Sequence, residues 1–271
     1  MPSLHSRSYG KYYITRQDSN MNIVSYGGGT NSTALLIECA NREIEIDLIL
    51  FADTGGEKPH TYEYRTEFSR WCVEHGLPPI TTVQTQNKHG TSITLEQVCL
   101  NANALPSIAY GFKSCSEKHK IRPVNKFMNS WQPAKDVWAS GGKVTKFIGF
   151  DLDESHRIKD YSDEKYNIEF PLVEWDMGRD ECFESIKAAG LQQPGKSACF
   201  FCPSSKVSEI HELAAQYPKL MDRALAMEKN ADLDTIKGLG RSYAWSDVLK
   251  QEDAFGYDSP IELACGCYDG D

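Results

Sequence analysis

Hydrophobic and polar positions along this chain follow two periods in turn. Residues 22–26, NIVSY, form a short apolar run that enters Gly27, Gly28 and Gly29, and the following NSTALLIECANR repeats apolar residues at helical spacing. That pattern predicts a strand, a tight glycine turn and a helix. IDLILFAD, residues 46–53, is a continuous apolar run of strand length, as expected of a parallel strand covered on both faces. Pro59 to His75 predicts a helix with proline in its first turn and Gly76 behind its end, and ITTVQ from Ile80 predicts a third strand. TLEQVCLNANAL and the stretch from Lys118 to Trp131 have helical spacing, with Pro123 starting or breaking a helix. VTKFIGF, residues 144–150, predicts a fourth strand and IEFPLV near Ile168 a fifth. Helical patterns follow at Asp180 to Ala189, Ser205 to Gln216 and Pro218 to Lys229.

Strands alternating with helices specify an α/β fold with a mostly parallel five-stranded sheet flanked by helices, followed by a smaller helical, cysteine-bearing C-terminal part. The division is expected at residues 1–175 for the α/β domain and 176–271 for the C-terminal region. Ligands of such sheets bind beyond the carboxyl ends of the strands. The glycine turn, Asp53 to Glu57, Asp151 to Arg157 and the stretch after the fifth strand all fall there, which predicts one composite site.

Composition narrows the classes. The 271 residues are 40% apolar and 25% charged, as in an ordinary globular protein. The first twenty residues hold no apolar stretch of signal-peptide length and no later segment approaches a membrane span, so a cytoplasmic protein without a membrane partner is expected. Nine cysteines, an odd number, then speak for metal binding or redox work rather than a disulfide framework. A formal charge of -9 repels a polyphosphate backbone, so nucleic acid is not favoured as a partner. The dense basic cluster of Lys113, Lys118, His119, Lys120, Arg122 and Lys126 around Cys115 is either a solvated helix face or a local anion contact.

Four segments carry candidate chemistry. In SYGGGTNS, glycines 27–29 let backbone N–H groups approach an anion, the next helix offers its N-terminal amides, and Ser25, Thr30, Asn31 and Ser32 add polar donors. The pattern is neither a Walker loop nor a dinucleotide fingerprint. In FADTGGEKPH, Asp53 and Glu57 could bind a ribose hydroxyl or a phosphate-bound metal, or Asp53 or Thr54 could simply initiate a turn. IGFDLDESHRIKD brings Glu154, Ser155, His156 and Arg157, the arginine being suited to phosphate or sulfate; a surface acid–base pair is the alternative. In SACFFCPSSK, Cys199 and Cys202 have the C-x-x-C spacing of two thiolates on one metal, with Cys115 and Cys265 or Cys267 as further ligands. Zinc and an iron–sulfur cluster both suit that set, the basic residues near Cys115 leaning toward the cluster. Cys39, Cys72, Cys99 and Cys182 lie in apolar helical patterns and read as buried structural thiols.

Together, SYGGGTNS, FADTGGEKPHTYEY, CSEKHKIRPV, IGFDLDESHRI and ACFFCP resemble the phosphoadenosine phosphosulfate (PAPS) reductase family of the PP-loop superfamily of ATP pyrophosphatases, from about Asn22 to about Ser204. The resemblance is closest to bacterial and phage-type members with a C-x-x-C pair, and it implies an adenine nucleotide alpha-hydrolase-like fold. It further implies that Ser25, Gly27, Gly28, Gly29 and Ser32 cradle a phosphate or sulfate. Asp53, Thr54 and Gly55 would border the adenosine, and Glu154, Ser155 and Arg157 would contact the anionic end. Adenylyl sulfate reductases of the family hold a [4Fe-4S] cluster with an adjacent cysteine pair plus a C-x-x-C; here Cys115, Cys199 and Cys202 would be ligands, and the fourth would come from elsewhere, with Cys267 the candidate, or be absent.

The chain departs from the family at three places: no adjacent cysteine pair occurs at Cys115, Asn31 stands where ATP-using members usually carry Asp, and the tail ELACGCYDG shares only a late Cys-Gly after an acid. The reading that follows is a sulfonucleotide reductase in which Cys265 or Cys267 attacks sulfur and thioredoxin or another thiol donor completes the cycle. An ATP-dependent (Mg2+) adenylating sulfur transferase acting on tRNA, DNA or a small molecule is the alternative. A non-catalytic nucleotide-binding module is a third, and a homodimer is left open.

Overall fold

The computed structural model describes residues 21–252 apart from residues 107, 110, 111, 160 and 161. In chain order the strands are β1 (Met21–Ser25), β2 (Leu48–Asp53), β3 (Ile80–Gln84), the short antiparallel pair β4 (Ile108–Ala109) and β5 (Phe112–Lys113), β6 (Val144–Ile148) and β7 (Tyr166–Glu169). The helices before β6 are α1 (Thr30–Asn41), α2 (Pro59–Glu74), α3 (Leu95–Asn101), the single turn α4 (Ser114–Ser116), α5 (Arg122–Ser130) and α6 (Gln132–Ala139). Those after it are α7 (Pro171–Glu174), α8 (Arg179–Ala188), α9 (Val207–Gln216), α10 (Pro218–Asn230) and α11 (Trp245–Glu252).

Five strands form one all-parallel sheet in the order β3-β2-β1-β6-β7, so the fold is α/β as the alternating pattern predicts. Chain order runs outward from β1 in both directions, and the reversal falls between β1 and β6. The register puts Ser25 opposite both Leu50 and Ile148, so the carboxyl ends of the three central strands are level. Crevices for ligands open at such reversals.

Alternate residues of the central strands feed two cores, which is why their sequences read as unbroken apolar runs. Val24, Ile49, Phe51 and Phe147 pack with Leu35 and Leu36 of α1, Phe68 and Trp71 of α2, and Cys182 and Ile186 of α8. On the opposite face Ile23, Leu48, Leu50 and Val144 meet Val124 and Met128 of α5 and Ala134 of α6. Helix α1 is buried from Thr30 through Ile37, because the sheet covers one side of it and α8 the other.

A third core joins Phe200, Phe201, Ile210, Leu213, Met221, Met227 and Trp245 with Leu95 and Cys99 of α3. Packing therefore crosses residue 175 in both directions: α8 belongs to the cover of the sheet, and α3 belongs to the later helical layer. Pro123 stands in the first turn of α5, directly after a π-helical turn at Glu117–Ile121, where its missing N–H interrupts the ladder without ending the helix.

Candidate functional site

The glycine turn after β1 has the form an anion needs. Gly28 takes φ +79°, a left-handed backbone that side-chain-bearing residues rarely adopt, and a Cβ there would meet Thr61 Cγ2 at 3.2 Å. At Gly29, by contrast, a Cβ would have no atom within 4 Å, so this side of the turn is open. The turn is braced by side chains. Ser32 Oγ accepts from the Gly27 N–H (3.2 Å) and donates to the Gly29 carbonyl (3.2 Å), which also accepts from Thr33 Oγ1 at 2.9 Å. Among the described residues, the N–H groups of Gly28, Gly29, Thr30, Asn31 and Ser32 donate to no protein acceptor. They form the N-terminus of a twelve-residue helix, where partial positive charge collects.

The exit of β6 forms the facing wall. A Cβ at Gly149 would stand 2.9 Å from both Cα and N of Ser32, so only glycine lets this strand end lie against the first turn of α1. Asp151, fully buried, accepts the Glu154 N–H (3.0 Å) and starts the 3-10 turn Leu152–Arg157. Asn31 links these elements. Its Nδ2 donates to Asp151 Oδ2 (2.8 Å) and Glu154 Oε2 (2.9 Å), and its Oδ1 accepts from Arg179 Nη1 (2.8 Å). Arg157 pairs with Glu154 and lies 4.5 Å from the Phe150 ring centre.

The resulting cleft, about 350 Å³, is lined by Ser25, Gly29 to Ser32, Gly149, Arg157, Arg179, Lys196 and Ser197. Its volume lies in the range of small-molecule sites. Three cationic side chains and one carboxylate, Glu154, line its wall.

Ser25 also lines a second cavity, about 30 Å³, on the α5 side of the sheet. Leu50, Phe51, Ala52, Ile121 and Val124 make its apolar walls, and Lys120 and Lys146 its polar ones. Burial lowers the Lys146 pKa below the ordinary lysine value.

Asp53 is occupied in shaping its own turn. Its carboxylate accepts from Gly55 N–H (2.7 Å), Tyr62 O–H (2.8 Å) and Gln84 Nε2 (2.8 Å), while Gly55 takes φ +72°. Thr54 Oγ1 lies 3.0 Å from Cys199 Sγ and accepts the Gly56 N–H. Glu57 forms an antiparallel bridge with Cys199, Phe200 N–H donates to Gly56 O (2.8 Å), and Ser197 Oγ donates to Gly27 O (2.6 Å). Residues 197–200 therefore strap the turns after β1 and β2 together. Ser155 is exposed and does not line the cleft.

Cys39, Cys72, Cys99 and Cys182 are all buried. Burial pushes the thiols of Cys72 and Cys182 up to about 12 and that of Cys99 up to about 11. Cys199 is raised first by burial and then by the Glu57 carboxylate, and the Cys115 thiolate would raise it further. Cys202 closes a tight turn by donating its N–H to Cys199 O (3.0 Å). Among the described residues, no three thiols, imidazoles and carboxylates stand together as ligands for one metal ion. Cys265 and Cys267 lie outside the described residues, so the described thiols do not by themselves make a cluster cradle.

The site contains residues that pattern reading missed. Arg179 is isolated in sequence, and Gly149, though it lies within the segment IGFDLDESHRIKD, gains its role only from the approach of β6 to α1. Lys196 and Ser197, in the turn-forming stretch PGKS just before Cys199, carried a weak local signal. No helix is long and apolar enough to cross a membrane among the described residues.

No family model matches the chain. It is similar to an uncharacterized protein of Methanocaldococcus jannaschii, 22% identical over 259 residues, covering 92% of this chain and 52% of that protein. The chain thus spans about half the length of the relative it matches.

Proposed function

We propose that this chain is a PP-loop-type enzyme that binds an adenine sulfonucleotide, PAPS or adenylyl sulfate, and acts on its sulfate end. The observation that carries the reading is the row of amides from Gly28 to Ser32, without a protein acceptor among the described residues, beside a cleft lined by Gly29 to Ser32, Arg157, Arg179 and Lys196. Such amides and guanidinium groups suit phosphate or sulfate oxygens.

In the reductive reaction a thiolate of Cys265 or Cys267 attacks the sulfate sulfur, and the S–O bond to the nucleotide phosphate breaks. The bridging oxygen and its electron pair leave with the nucleotide, stabilised by the loop amides and the arginines. The protein then carries an S-sulfonate, which a dithiol donor such as thioredoxin cleaves, releasing sulfite and becoming oxidised to a disulfide. An iron–sulfur cluster or zinc on Cys115, Cys199 and Cys202, completed by Cys267, belongs to this proposal; iron analysis and the visible spectrum of anaerobically purified protein test it separately.

Titration calorimetry with PAPS, adenylyl sulfate and ATP tests the function. A sulfonucleotide should bind more tightly than ATP, and Arg179→Ala should weaken it about tenfold or more, the worth of one charged hydrogen bond. Failure of all three nucleotides to bind would falsify the reading; ATP-only binding with pyrophosphate release would turn it toward adenylation.

A further inference from the structure

We infer that Asn31 occupies the position of a divalent cation, so that the nucleotide is bound without Mg2+. This inference rests on the proposed nucleotide binding. It starts from the two carboxylates behind the glycine turn, Asp151 and Glu154, which converge on a single group.

A Mg2+ ion shared by a nucleotide and a protein is held by carboxylate oxygens. Here the convergent point is filled by an amide nitrogen, which offers one N–H to each acid at 2.8 and 2.9 Å. The amide orientation is fixed by chemistry, since the carboxylates can only accept and the guanidinium of Arg179 can only donate to Asn31 Oδ1. Both N–H groups and the oxygen of the amide are therefore engaged in one largely buried network.

Charge leads to the same conclusion. Asp151 and Glu154 carry two negative charges, and Arg157 and Arg179, hydrogen-bonded to Glu154 and Asn31, carry two positive ones. The cluster is neutral with no cation added. A dication would face both guanidinium groups and would need the Asn31 amide to turn away, leaving two carboxylates without their donor. An aspartate at position 31 would reverse this: three carboxylates would converge, and a dication would relieve their repulsion.

The experiment compares the wild type with Asn31→Asp, using Mn2+ alone and then nucleotide. For the wild type, sulfonucleotide affinity in Mg2+ and in EDTA should agree within about twofold, and Mn2+ electron paramagnetic resonance should detect no ion at the cleft. For Asn31→Asp, Mn2+ should bind and raise the thermal midpoint, and Glu154→Gln in that background should abolish both effects. The metal measurements need no nucleotide, so they stand even if the proposed substrate is wrong. Should Asn31→Asp fold poorly without metal, recovery on Mn2+ addition is the expected result. Wild-type binding that requires Mg2+, wild-type Mn2+ binding that Glu154→Gln removes, or an Asn31→Asp protein indifferent to Mn2+ would each overturn the inference.

Discussion

Lys146 shows how one residue can set a pH dependence. It sits on β6 with its side chain in the small cavity shared with Lys120, and among the described residues no carboxylate lines that space. Burial disfavours its charged form and lowers its pKa, whereas the unfolded chain keeps the ordinary value near 10.5. Below 10.5 the unfolded state thus binds the extra proton. Stability is greatest above that value and falls as pH drops toward the lowered pKa. Lys146→Met should remove this slope and stabilise the neutral-pH protein by about 1 kcal/mol, read by urea denaturation at pH 7 and pH 9.5. An unchanged slope would place the pH dependence in other groups. Position 146 was legible only as a polar interruption in the apolar run VTKFIGF, and periodicity assigned the strand without saying what the amine faces.

Between elements, the decisive contact is the approach of the β6 exit to the first turn of α1. Gly149→Ala would push a methyl group against the Ser32 backbone and should cost about 1–3 kcal/mol, with loss of nucleotide affinity. Gly29→Ala is the matched control. Its Cβ meets no atom, so the fold should keep nearly its full stability while the methyl intrudes on bound anion. Thermal unfolding and titration of both variants separate the two effects, and equal destabilisation by both would contradict the geometry. The five strands, α1, α2, α8, α9 and α10 were legible because each combines a clear period with glycine or proline punctuation. Helices α6 and α11 were not singled out, and the β4–β5 pair is too short to show alternation. The loop amides could be read from three consecutive glycines. Arg179 could not, since an arginine opening a helix acquires its role only when α8 packs on α1 and meets Asn31.

Across the whole molecule, the cysteine segment and the anion turn are one assembly. Ser197 holds the Gly27 carbonyl, and Cys199 lies against Thr54. Ser197→Ala should cost about 1 kcal/mol and speed hydrogen exchange at the Gly27 and Thr33 amides, which are hydrogen-bonded within the turn, measured by mass spectrometry. Exchange identical to wild type would show that the turn holds its shape alone. The expected boundary at residue 175 followed the end of the last strand, but periodicity within a segment carries no information about which layer a helix joins.

The bond from Ser197 to Gly27 spans 170 positions of chain. During synthesis from the N-terminus, the glycine segment leaves the ribosome long before its clasp exists, and closing so large a loop is slow. A nascent chain halted before position 197 should therefore already possess its central sheet yet display an unfinished glycine turn, so the clasp on this turn is acquired late in the life of the growing polypeptide.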